Sequence, residues 1–417
     1  MNRPNTKTST NGQTMTSAHH DSWLLCQGRR LLAHYQAAQV ASGFGALDDA
    51  GQLTSTTAVT LVTARMVHSY SLAALMGVEG AAELVDHGLK ALLEGPLRDH
   101  KHGGWFEDES QQGRKEAYVH AFVALAAASA SMAQRPRASE LLKASTEIID
   151  QRFWLEDEAV MAPSFAADWS DCEDYRGANA NMHATEAFLA LWDATGEMKW
   201  LDRSLALVKR FGHDIARVYD YRLPEHFDRH WQMLPDFNVD KPKDDFRPWG
   251  MTPGHFSEWA GLMLKVEAAL MAHKQAAPDW LLPDAMGLLD SAVALGWGAD
   301  GKPGMVYTIG WNDEVSVANR PWWVQAETAN AAYLFMLRTG ERRFEVMHRM
   351  AWGYIADSLI DAKYGGWLPE VDQAGQRTFA VYPLRDDLYH ALQATLTPLL
   401  PLTASLAAGV RQVFTGK

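Results

Sequence analysis

The chain has 417 residues, of which 47% are apolar, 10% aromatic and 21% charged, a composition typical of globular rather than disordered or fibrous proteins. Its formal net charge of -13 argues against a nucleic-acid partner, because phosphate backbones are bound by clustered Lys and Arg, which are scattered here. Two cysteines, Cys26 and Cys172, are too few for a disulfide framework or for a zinc site without other ligands.

The first twenty residues are rich in Asn, Thr, Ser and Gly and lack the apolar core of a signal peptide. We expect a flexible tail over residues 1–20 and one domain over 21–417, because no linker rich in Pro, Gly and Ser divides the interior. No apolar run reaches the roughly 20 residues that a membrane span needs. The sequence therefore predicts a cytoplasmic monomer or homodimer with no membrane partner.

Apolar residues recur at helical spacing in five segments rich in Ala, Leu and Met. In chain order these segments are 57–76, 118–133, 182–194, 257–273 and 328–337. Short strand signals are confined to the junctions, where 103–106, 304–307 and 365–368 each combine glycines with β-prone residues, as small hairpins do. Helix therefore dominates the predicted secondary structure.

Three of the predicted helices end at a glycine before another helix begins, at Gly77, Gly196 and Gly340. Repeated helical hairpins of this kind either extend as an open solenoid or close into a ring. The segment 121–132 is apolar nearly all round, as expected of an inner helix wrapped by an outer layer. The sequence therefore favours an all-α fold with a closed double layer of helices and short β-hairpins in the loops.

Two segments in the first half of the chain place polar side chains on apolar helices. Arg65 is a cation that must be paired or face a wet cavity, so structural pairing and substrate binding both remain open. His183 lies three residues before Glu186 on one helical face, and we expect the two to share a hydrogen bond. Asn179 and Asn181 add donors and acceptors suited to sugar hydroxyls, although they also suit a helix start beside a core histidine.

His226 and His230 lie four residues apart, beside Glu225 and Asp228. One such pair is a weak metal signal, and we favour a loop that packs over a cavity. The sequence contains no glycine-rich phosphate loop, no dinucleotide fingerprint and no His-Glu-x-x-His helix. We therefore predict no cofactor and no metal.

Two more histidines open apolar helices in the second half of the chain. His255 precedes Glu258 by three residues, and His390 follows Asp386, so we expect each acid to partner its histidine. A carboxylate beside an imidazole fixes which ring nitrogen carries the proton, which suits a general base. Together with His183 these histidines could form a proton-transfer site without a metal, whereas the alternative for His255 is a local ion pair on a solvated helix end.

A cluster of aromatic and polar residues precedes the last long helix. Trp322 and Trp323 are followed by Gln325 and Glu327, which combines an aromatic platform with an amide and a carboxylate. Tryptophan faces stack on the apolar faces of pyranoses as readily as they fill cores. The combination indicates a polar ligand site, although either tryptophan alone is more typical of a core.

These segments also carry a resemblance to a known family. The motifs are Thr-Ala-Arg-Met at 63–66, His-Gly-Gly-Trp at 102–105, Arg-Gly-Ala-Asn-Ala-Asn-Met-His at 176–183, Glu-His-Phe-Asp at 225–228, Thr-Pro-Gly-His at 252–255 and Leu-Tyr-His at 388–390. At these residues the chain resembles the N-acylglucosamine 2-epimerase superfamily, and within it the aldose-ketose isomerase branch. The similarity runs through almost the whole chain after the tail.

The resemblance implies an (α/α)6 barrel with metal-independent chemistry on a ring-opened sugar. It implies that His390 carries a proton between C2 and C1 through a cis-enediolate while His255 opens the ring, and the reverse assignment stays open. Further matching positions would order the sugar oxygens, namely Arg65, His183, Glu258 and Glu327, or line the pocket, namely Tyr118, Trp322 and Trp323.

The reaction that we expect is the interconversion of D-mannose and D-fructose. Residues 51–56 lack polar side chains expected beside Arg65 in a sulfoquinovose isomerase, which disfavours that substrate, whereas the segment 322–325 keeps a sugar 2-epimerase open. More remote alternatives are a non-catalytic sugar-binding ring and an inverting glycoside hydrolase. The hydrolase needs two separated carboxylates, for which Glu258 and Asp386 are the candidates.

Overall fold

A computed structural model describes residues 17–385 and 387–416. Its helices are α1 (Ser17–Tyr35), α2 (Thr60–Leu75), α3 (Ala81–Glu94), α4 (Ala117–Met132), α5 (Ala138–Ile148), α6 (Ala178–Thr195), α7 (Met198–Val208), α8 (Ala216–Val218), α9 (Pro253–Ala272), α10 (Leu281–Gly296), α11 (Trp322–Thr339), α12 (Arg342–Tyr354), α13 (Tyr389–Leu396) and α14 (Leu406–Thr415). Short 3-10 or π turns extend some of them, at Gln36–Ala38, Ile149–Phe153, Lys209–Ile215, Ile355–Leu359 and Thr397–Leu399.

Within the described residues, six helices form a closed inner ring. In the order α2, α4, α6, α9, α11 and α13, each helix packs on the next, and α13 packs on α2. Each also packs on an outer partner: α2 on α3, α4 on α5, α6 on α7, α9 on α10, α11 on α12, and α13 on α1. The architecture is therefore an (α/α)6 barrel, which confirms the predicted closed double layer of helices.

The two layers differ because their sequences differ. Inner helix α4 is buried along nearly its whole length, and its sequence AYVHAFVALAAASASM is apolar on all sides. Outer helix α5 is buried only at Ala138, Leu141 and Ser145, which lie on one face. A helix with one apolar stripe covers the inner ring and presents its polar side to water, whereas an apolar helix must lie inside.

Short antiparallel strand pairs lie at the end of the barrel where the inner helices begin. The strands are β1 (Gln39–Val40), β2 (Gly43–Phe44), β3 (Lys115–Glu116), β4 (Trp154–Leu155), β5 (Val160–Met161), β6 (Ser164–Phe165), β7 (Arg176–Gly177), β8 (His226–Phe227), β9 (Thr308–Ile309), β10 (Val315–Val317), β11 (Arg320–Pro321) and β12 (Glu370–Val371). They pair as β1–β2, β3–β6, β4–β5, β7–β8, β9–β10 and β11–β12. Since β3, β7 and β11 end directly before α4, α6 and α11, their pairing fixes where these inner helices begin.

The predicted junctions are also present. Trp105, Met305 and Trp367 form isolated antiparallel bridges in the three segments predicted as hairpins. Gly77, Gly196 and Gly340 adopt left-handed backbone conformations, with φ of 74°, 71° and 70°, just beyond α2, α6 and α11. A residue with a Cβ is disfavoured in this conformation, so glycine ends these helices.

Some boundaries differ from the sequence prediction. Helices α6, α9 and α11 begin four to six residues before the predicted starts at 182, 257 and 328, because their first turns carry polar residues that interrupt the apolar period. The tail predicted over 1–20 lies mostly outside the described residues, and helix α1 occupies its last four. None of the described helices is both long and apolar enough to cross a membrane.

Candidate active site

The predicted site residues lie in the first two turns of the inner helices. They are Arg65 in α2, Tyr118 in α4, Asn179 and His183 in α6, His255 and Glu258 in α9, Trp322, Trp323 and Glu327 in α11, and His390 in α13. Because each inner helix returns through an outer one, the inner helices run in the same direction and their first turns meet at one end of the barrel. The ring therefore brings residues that are far apart in the sequence together at one end of the barrel.

His255 and His390 share one neighbour, the indole of Trp323. The ring centroids of His255 and Trp323 are 4.9 Å apart, and those of His390 and Trp323 are 6.0 Å apart. His390 also lies 6.3 Å from the ring of His183 and 6.3 Å from that of Trp322. The three histidines and both tryptophans therefore form one cluster of rings.

Each of the two histidines that contact Trp323 has its Nδ1 atom bound to a glutamate of its own. Nδ1 of His255 lies 2.8 Å from Oε1 of Glu225, and Nδ1 of His390 lies 2.8 Å from Oε1 of Glu327. These hydrogen bonds leave Nε2 of each ring available to a substrate. The predicted pairing of His255 with Glu258 is wrong, because Glu225 approaches from a separate loop, and the predicted partner Asp386 lies outside the described residues.

The expected hydrogen bond between His183 and Glu186 is not formed. Nδ1 of His183 lies 4.0 Å from Oε2 of Glu186 and 3.6 Å from Oε1 of Glu258, both beyond hydrogen-bond length. Glu186 instead accepts hydrogen bonds from the hydroxyl of Tyr389 and, at 3.0 Å, from Nε2 of Gln393. Two donors from α13 therefore turn this carboxylate away from the histidine on its own helix.

Arg65 is paired and also lies beside the histidines. Its guanidinium donates to the hydroxyl of Tyr118 at 2.8 Å, lies 3.4 Å from Oδ2 of Asp387 and packs 4.4 Å from the ring centre of Phe122. The same Oδ2 atom is 3.9 Å from Nε2 of His390. Arg65 is therefore paired within the protein, and this ion pair is adjacent to the imidazole of His390, so substrate binding by Arg65 stays a prediction.

Burial sets the protonation states in this cluster. It lowers the pKa of His183 and of His390 to about 4, so both imidazoles are neutral near pH 7. Burial, with the neighbouring carboxylates of Glu327 and Glu186, raises the pKa of Glu258 well above its usual value, which makes this side chain a protonated acid. Burial also raises the pKa of Glu327 to about 7.

The two imidazole–glutamate pairs therefore differ in charge. Burial opposes ionisation of Glu225, but His255 beside it outweighs that effect and holds the pKa of this carboxyl below its usual value. Glu225 is accordingly ionised at neutral pH, whereas Glu327 gains and loses its proton in that range. The charge of the His390–Glu327 pair therefore changes with pH, because Glu327 titrates near neutral pH.

A loop over residues 236–250 covers part of the pocket mouth. The carbonyl groups of residues 244–246 accept hydrogen bonds in turn from the hydroxyls of Tyr307 and Tyr382 and from Nδ2 of Asn179, at 2.8, 3.2 and 3.1 Å. A cavity of 570 Å³ opens beside this loop and reaches Tyr118 and Asn179. Asn179 therefore holds this loop at the edge of the cavity.

Of the two histidines predicted to lie in a covering loop, His226 is buried and supports the loop over residues 236–250, whereas His230 is exposed. His226 binds the hydroxyl of Tyr175 at 2.7 Å through Nδ1 and the carbonyl of Pro248 at 2.8 Å through Nε2. Both ring nitrogens of this buried side chain are thus used by the protein. In the part of the chain that the structure describes, no three His, Cys, Asp or Glu side chains are arranged to hold a metal ion.

Sequence reasoning missed several residues of the pocket. Asp387, Tyr389 and Phe122 were not assigned to the site, and Glu225 was noted only as a neighbour of His226. Glu225 is separated from His255 by 30 residues, so no helical or strand period relates them. The available signal was a carboxylate inside a motif of the resemblance, at 225–228.

Comparisons with known proteins agree with this geometry. Residues 43–394 match the model of the family described as N-acylglucosamine 2-epimerase (GlcNAc 2-epimerase). The chain belongs to the N-acylglucosamine 2-epimerase family. The resemblance inferred from the sequence motifs is thereby confirmed for most of the chain.

Relatives within the N-acylglucosamine 2-epimerase family narrow the class of enzyme. The chain is 46% identical over 400 residues to a D-mannose isomerase of Pseudomonas cannabina pv. alisalensis, which covers 95% of this chain and 96% of that protein. It is 45% identical over 404 residues to a D-mannose isomerase of Thermobifida fusca, covering 95% and 98%. A crystal structure of D-mannose isomerase superposes with a TM-score of 0.83 at 26% identity, covering 91% and 97%. The protein is therefore an isomerase, as predicted.

Proposed function

We propose that the protein interconverts D-mannose and D-fructose without a metal ion. The observation that carries this proposal is the packing of His255 and His390 on one indole, Trp323, each with Nδ1 bound to a glutamate. Two imidazoles with free Nε2 atoms can exchange protons with an open-chain sugar between them. The 46% identical D-mannose isomerase supports mannose as the substrate.

In the proposed reaction, His255 transfers the proton that opens the pyranose ring. Neutral His390 then removes the proton on C2 of the open-chain aldose, and the electron pair of that C–H bond forms the C1–C2 double bond of a cis-enediolate. The hydroxyl proton on O2 passes to O1, and His390 returns its own proton to C1 as the C2–O bond becomes a carbonyl, which yields the ketose. No oxidant is consumed, since C1 is reduced as C2 is oxidised.

The surrounding groups stabilise the enediolate oxygens. A proton beside a carbonyl is only weakly acidic, so the oxygen that gains charge needs donors placed in advance. Arg65 supplies a guanidinium next to His390, and Glu258 is protonated and can donate. In a buried pocket such donors act more strongly than in water.

A neutral sugar fits the charge of the pocket better than a sulfonated one. The guanidinium of Arg65 is compensated by Asp387 at 3.4 Å, and four further carboxyl groups, of Glu186, Glu225, Glu258 and Glu327, surround the histidines. A sulfonate needs uncompensated cations. This charge pattern favours mannose over sulfoquinovose and agrees with the expectation from residues 51–56.

We also propose that residues 21–417 act as one catalytic domain. The inner ring closes only when α13, near the end of the chain, packs on α2 and on α1. Every inner helix contributes a residue to the pocket, so no part of the ring forms the site alone.

The decisive experiment is incubation of D-mannose with the protein in D2O, followed by NMR at C1 and C2. We expect fructose with deuterium at C1 to the extent that the proton on His390 exchanges with solvent. Absence of both fructose and exchange at C2 would overturn the proposal. Conversion of mannose to glucose alone would assign the protein as a 2-epimerase, in which the proton returns to the opposite face of C2.

A further inference from the structure

A small closed cavity lies beyond the histidines, deeper in the barrel. It has a volume of 20 Å³, enough for one water molecule, and Glu186, Glu258 and Glu327 line it from three inner helices. Asn330 also lines this cavity. Oε2 of Glu258 and Oδ1 of Asn330 are buried without a hydrogen-bond partner in the described structure. These unpartnered atoms are suited to binding that water.

Lys265 is the cationic side chain that lines this cavity. It follows Glu258 by seven residues in α9, two turns along the same face, and helical side chains lean back toward the N-terminus, that is, toward Glu258. Of the residues that line the cavity, Lys265 is half-buried and the others are buried, so Lys265 is the lining residue that is partly open to solvent. Its Cα lies roughly 15 Å along the helix axis from that of His255, beyond contact with a hexose.

Three carboxyl groups and one lysine line the same small cavity, so the charge of that lysine bears on the protonation of these carboxyl groups. Burial and the neighbouring carboxylates favour the protonated form of Glu258, while Glu327 gains and loses its proton near neutral pH. Burial raises the pKa of Glu327, and Lys265 is the largest influence that opposes this rise. Removal of the ammonium would leave Glu327 to bind a proton instead.

Other charged and titratable groups that face this cluster are too few to replace Lys265. They are His68 and Arg65 on α2, His183 on α6, and Tyr389 and His390 on α13. Burial lowers the pKa of His68 to about 4, as it does for His183 and His390, so none of the three imidazoles supplies a cation near pH 7. Arg65 is compensated by Asp387.

We propose that Lys265 is a positioning residue that keeps Glu327 ionised and able to accept the Nδ1 proton of His390, without itself touching the sugar. The proposal rests on the isomerase function proposed above. When Glu327 is ionised, His390 keeps its proton on Nδ1 and presents a basic Nε2. When Glu327 is protonated, that support is lost and Nε2 becomes a weaker base.

The test is the pH dependence of kcat and KM for mannose in Lys265→Met and Lys265→Gln, with Lys265→Arg retaining the charge. Loss of one nearby unit charge raises the pKa of a buried carboxyl group by about one or more. We expect the acid side of the kcat profile to move upward by that amount in both neutral variants, with KM little changed and alkaline activity retained. Lys265→Arg and the surface control Lys274→Met should keep the wild-type profile.

Profiles of the neutral variants that superpose on the wild-type profile, or a loss by the same factor at every pH, would overturn the inference. A second readout does not depend on turnover. The folded protein holds a proton on Glu327 from the ordinary carboxyl pKa of 4.5 up to about 7, whereas the unfolded chain has lost it, so this group makes thermal stability fall as pH rises through that window. In Lys265→Gln the fall should extend to higher pH, and an unchanged window would contradict the proposal. A wild-type protein that makes no fructose would refute the proposed function while leaving this stability test intact.

Discussion

His255 and His390 each form the same hydrogen bond to a glutamate, but the two glutamates differ in their ionisation. Both Nδ1 atoms lie 2.8 Å from a buried glutamate oxygen, yet Glu225 is ionised while Glu327 titrates near neutral pH. This difference supports separate roles for the two histidines in ring opening and in proton transfer at carbon.

We predict that His255→Ala and His390→Ala each lower kcat for mannose by at least about 100-fold, since each removes a general acid or base. Circular dichroism should show an unchanged helix content, because a vacated pocket position leaves the ring contacts intact. His100→Ala, which removes an exposed imidazole, is the control. Activity near the wild-type level in either variant would exclude that histidine from the reaction.

Glu225→Gln should reduce kcat by roughly 10- to 100-fold with little change in KM, because an amide holds the Nδ1 proton of His255 less firmly than a carboxylate does. Glu370→Gln is the matched control. Glu370 is equally buried, but it accepts from the backbone of Ala380 and Val381 and contacts no histidine.

Steady-state kinetics together with thermal melting separate the two effects of these glutamate substitutions. The control should lose stability and keep its kcat. Glu225→Asp should recover part of the activity of Glu225→Gln, because it restores the charge. Equal kcat in wild type and Glu225→Gln would show that the hydrogen bond to His255 has no catalytic consequence.

Among the helices, the contact between α2 and α3 is close enough to require glycine. A Cβ built on Gly88 would lie 2.3 Å from Cγ2 of Val67 and 3.3 Å from Cε2 of Phe44. Both neighbours are buried, so neither can move into solvent. The absence of a side chain at this position therefore sets how near the outer helix approaches the inner one.

We predict that Gly88→Ala lowers the free energy of unfolding by about 1–3 kcal/mol, the usual cost of overpacking a buried contact. Gly353→Ala is the matched control, because Gly353 is helical and exposed and a Cβ there would meet no atom within 4 Å. Alanine at 353 should raise stability by about 0.5–1 kcal/mol through helix propensity. Urea unfolding of both variants measures the two effects, and equal midpoints would contradict the packing argument.

The helices themselves were predictable and their first turns were not. The apolar period of α4 predicts its range almost to the residue, as 118–133 against the observed Ala117–Met132. Helix α11 starts at Trp322, six residues before its predicted start at 328, since Gln325 and Glu327 occupy positions where a structural helix would have apolar residues. The apolar helical period is therefore interrupted at the start of the helix, where its polar side chains lie near the histidines.

At the scale of the whole molecule, Arg385 links a segment early in the chain to segments near its end. Its buried guanidinium donates to Oδ2 of Asp361 at 2.5 Å and to the carbonyl of Gly365 at 2.6 Å, and lies 3.4 Å from Oδ1 of Asp49. It thus joins the loop after α1, the turn after α12 and the approach to α13. We therefore expect this junction to contribute to the closure of the ring, together with helix packing.

Arg385→Met should lower the free energy of unfolding by about 3–5 kcal/mol, because Asp361 loses its buried partner. Arg343→Met, which breaks exposed pairs with Asp290 and Glu341, should cost about 1 kcal/mol or less. Calorimetric melting of both proteins checks the difference. A similar small loss in both would mean that the junction is not needed for ring closure.

The sequence by itself determined the helical class, the closed double layer, the glycine ends of α2, α6 and α11, the family and most of the pocket residues. These follow from local periods, from backbone conformations that glycine favours and from short motifs, all of which are readable along the chain. Only the tertiary structure decided which carboxylate serves which histidine, with Glu225 on His255, Glu327 on His390 and Glu186 held by α13. A hydrogen bond forms between the nearest compatible atoms in space, and the folding of the ring brings together atoms from helices and loops that no sequence spacing relates.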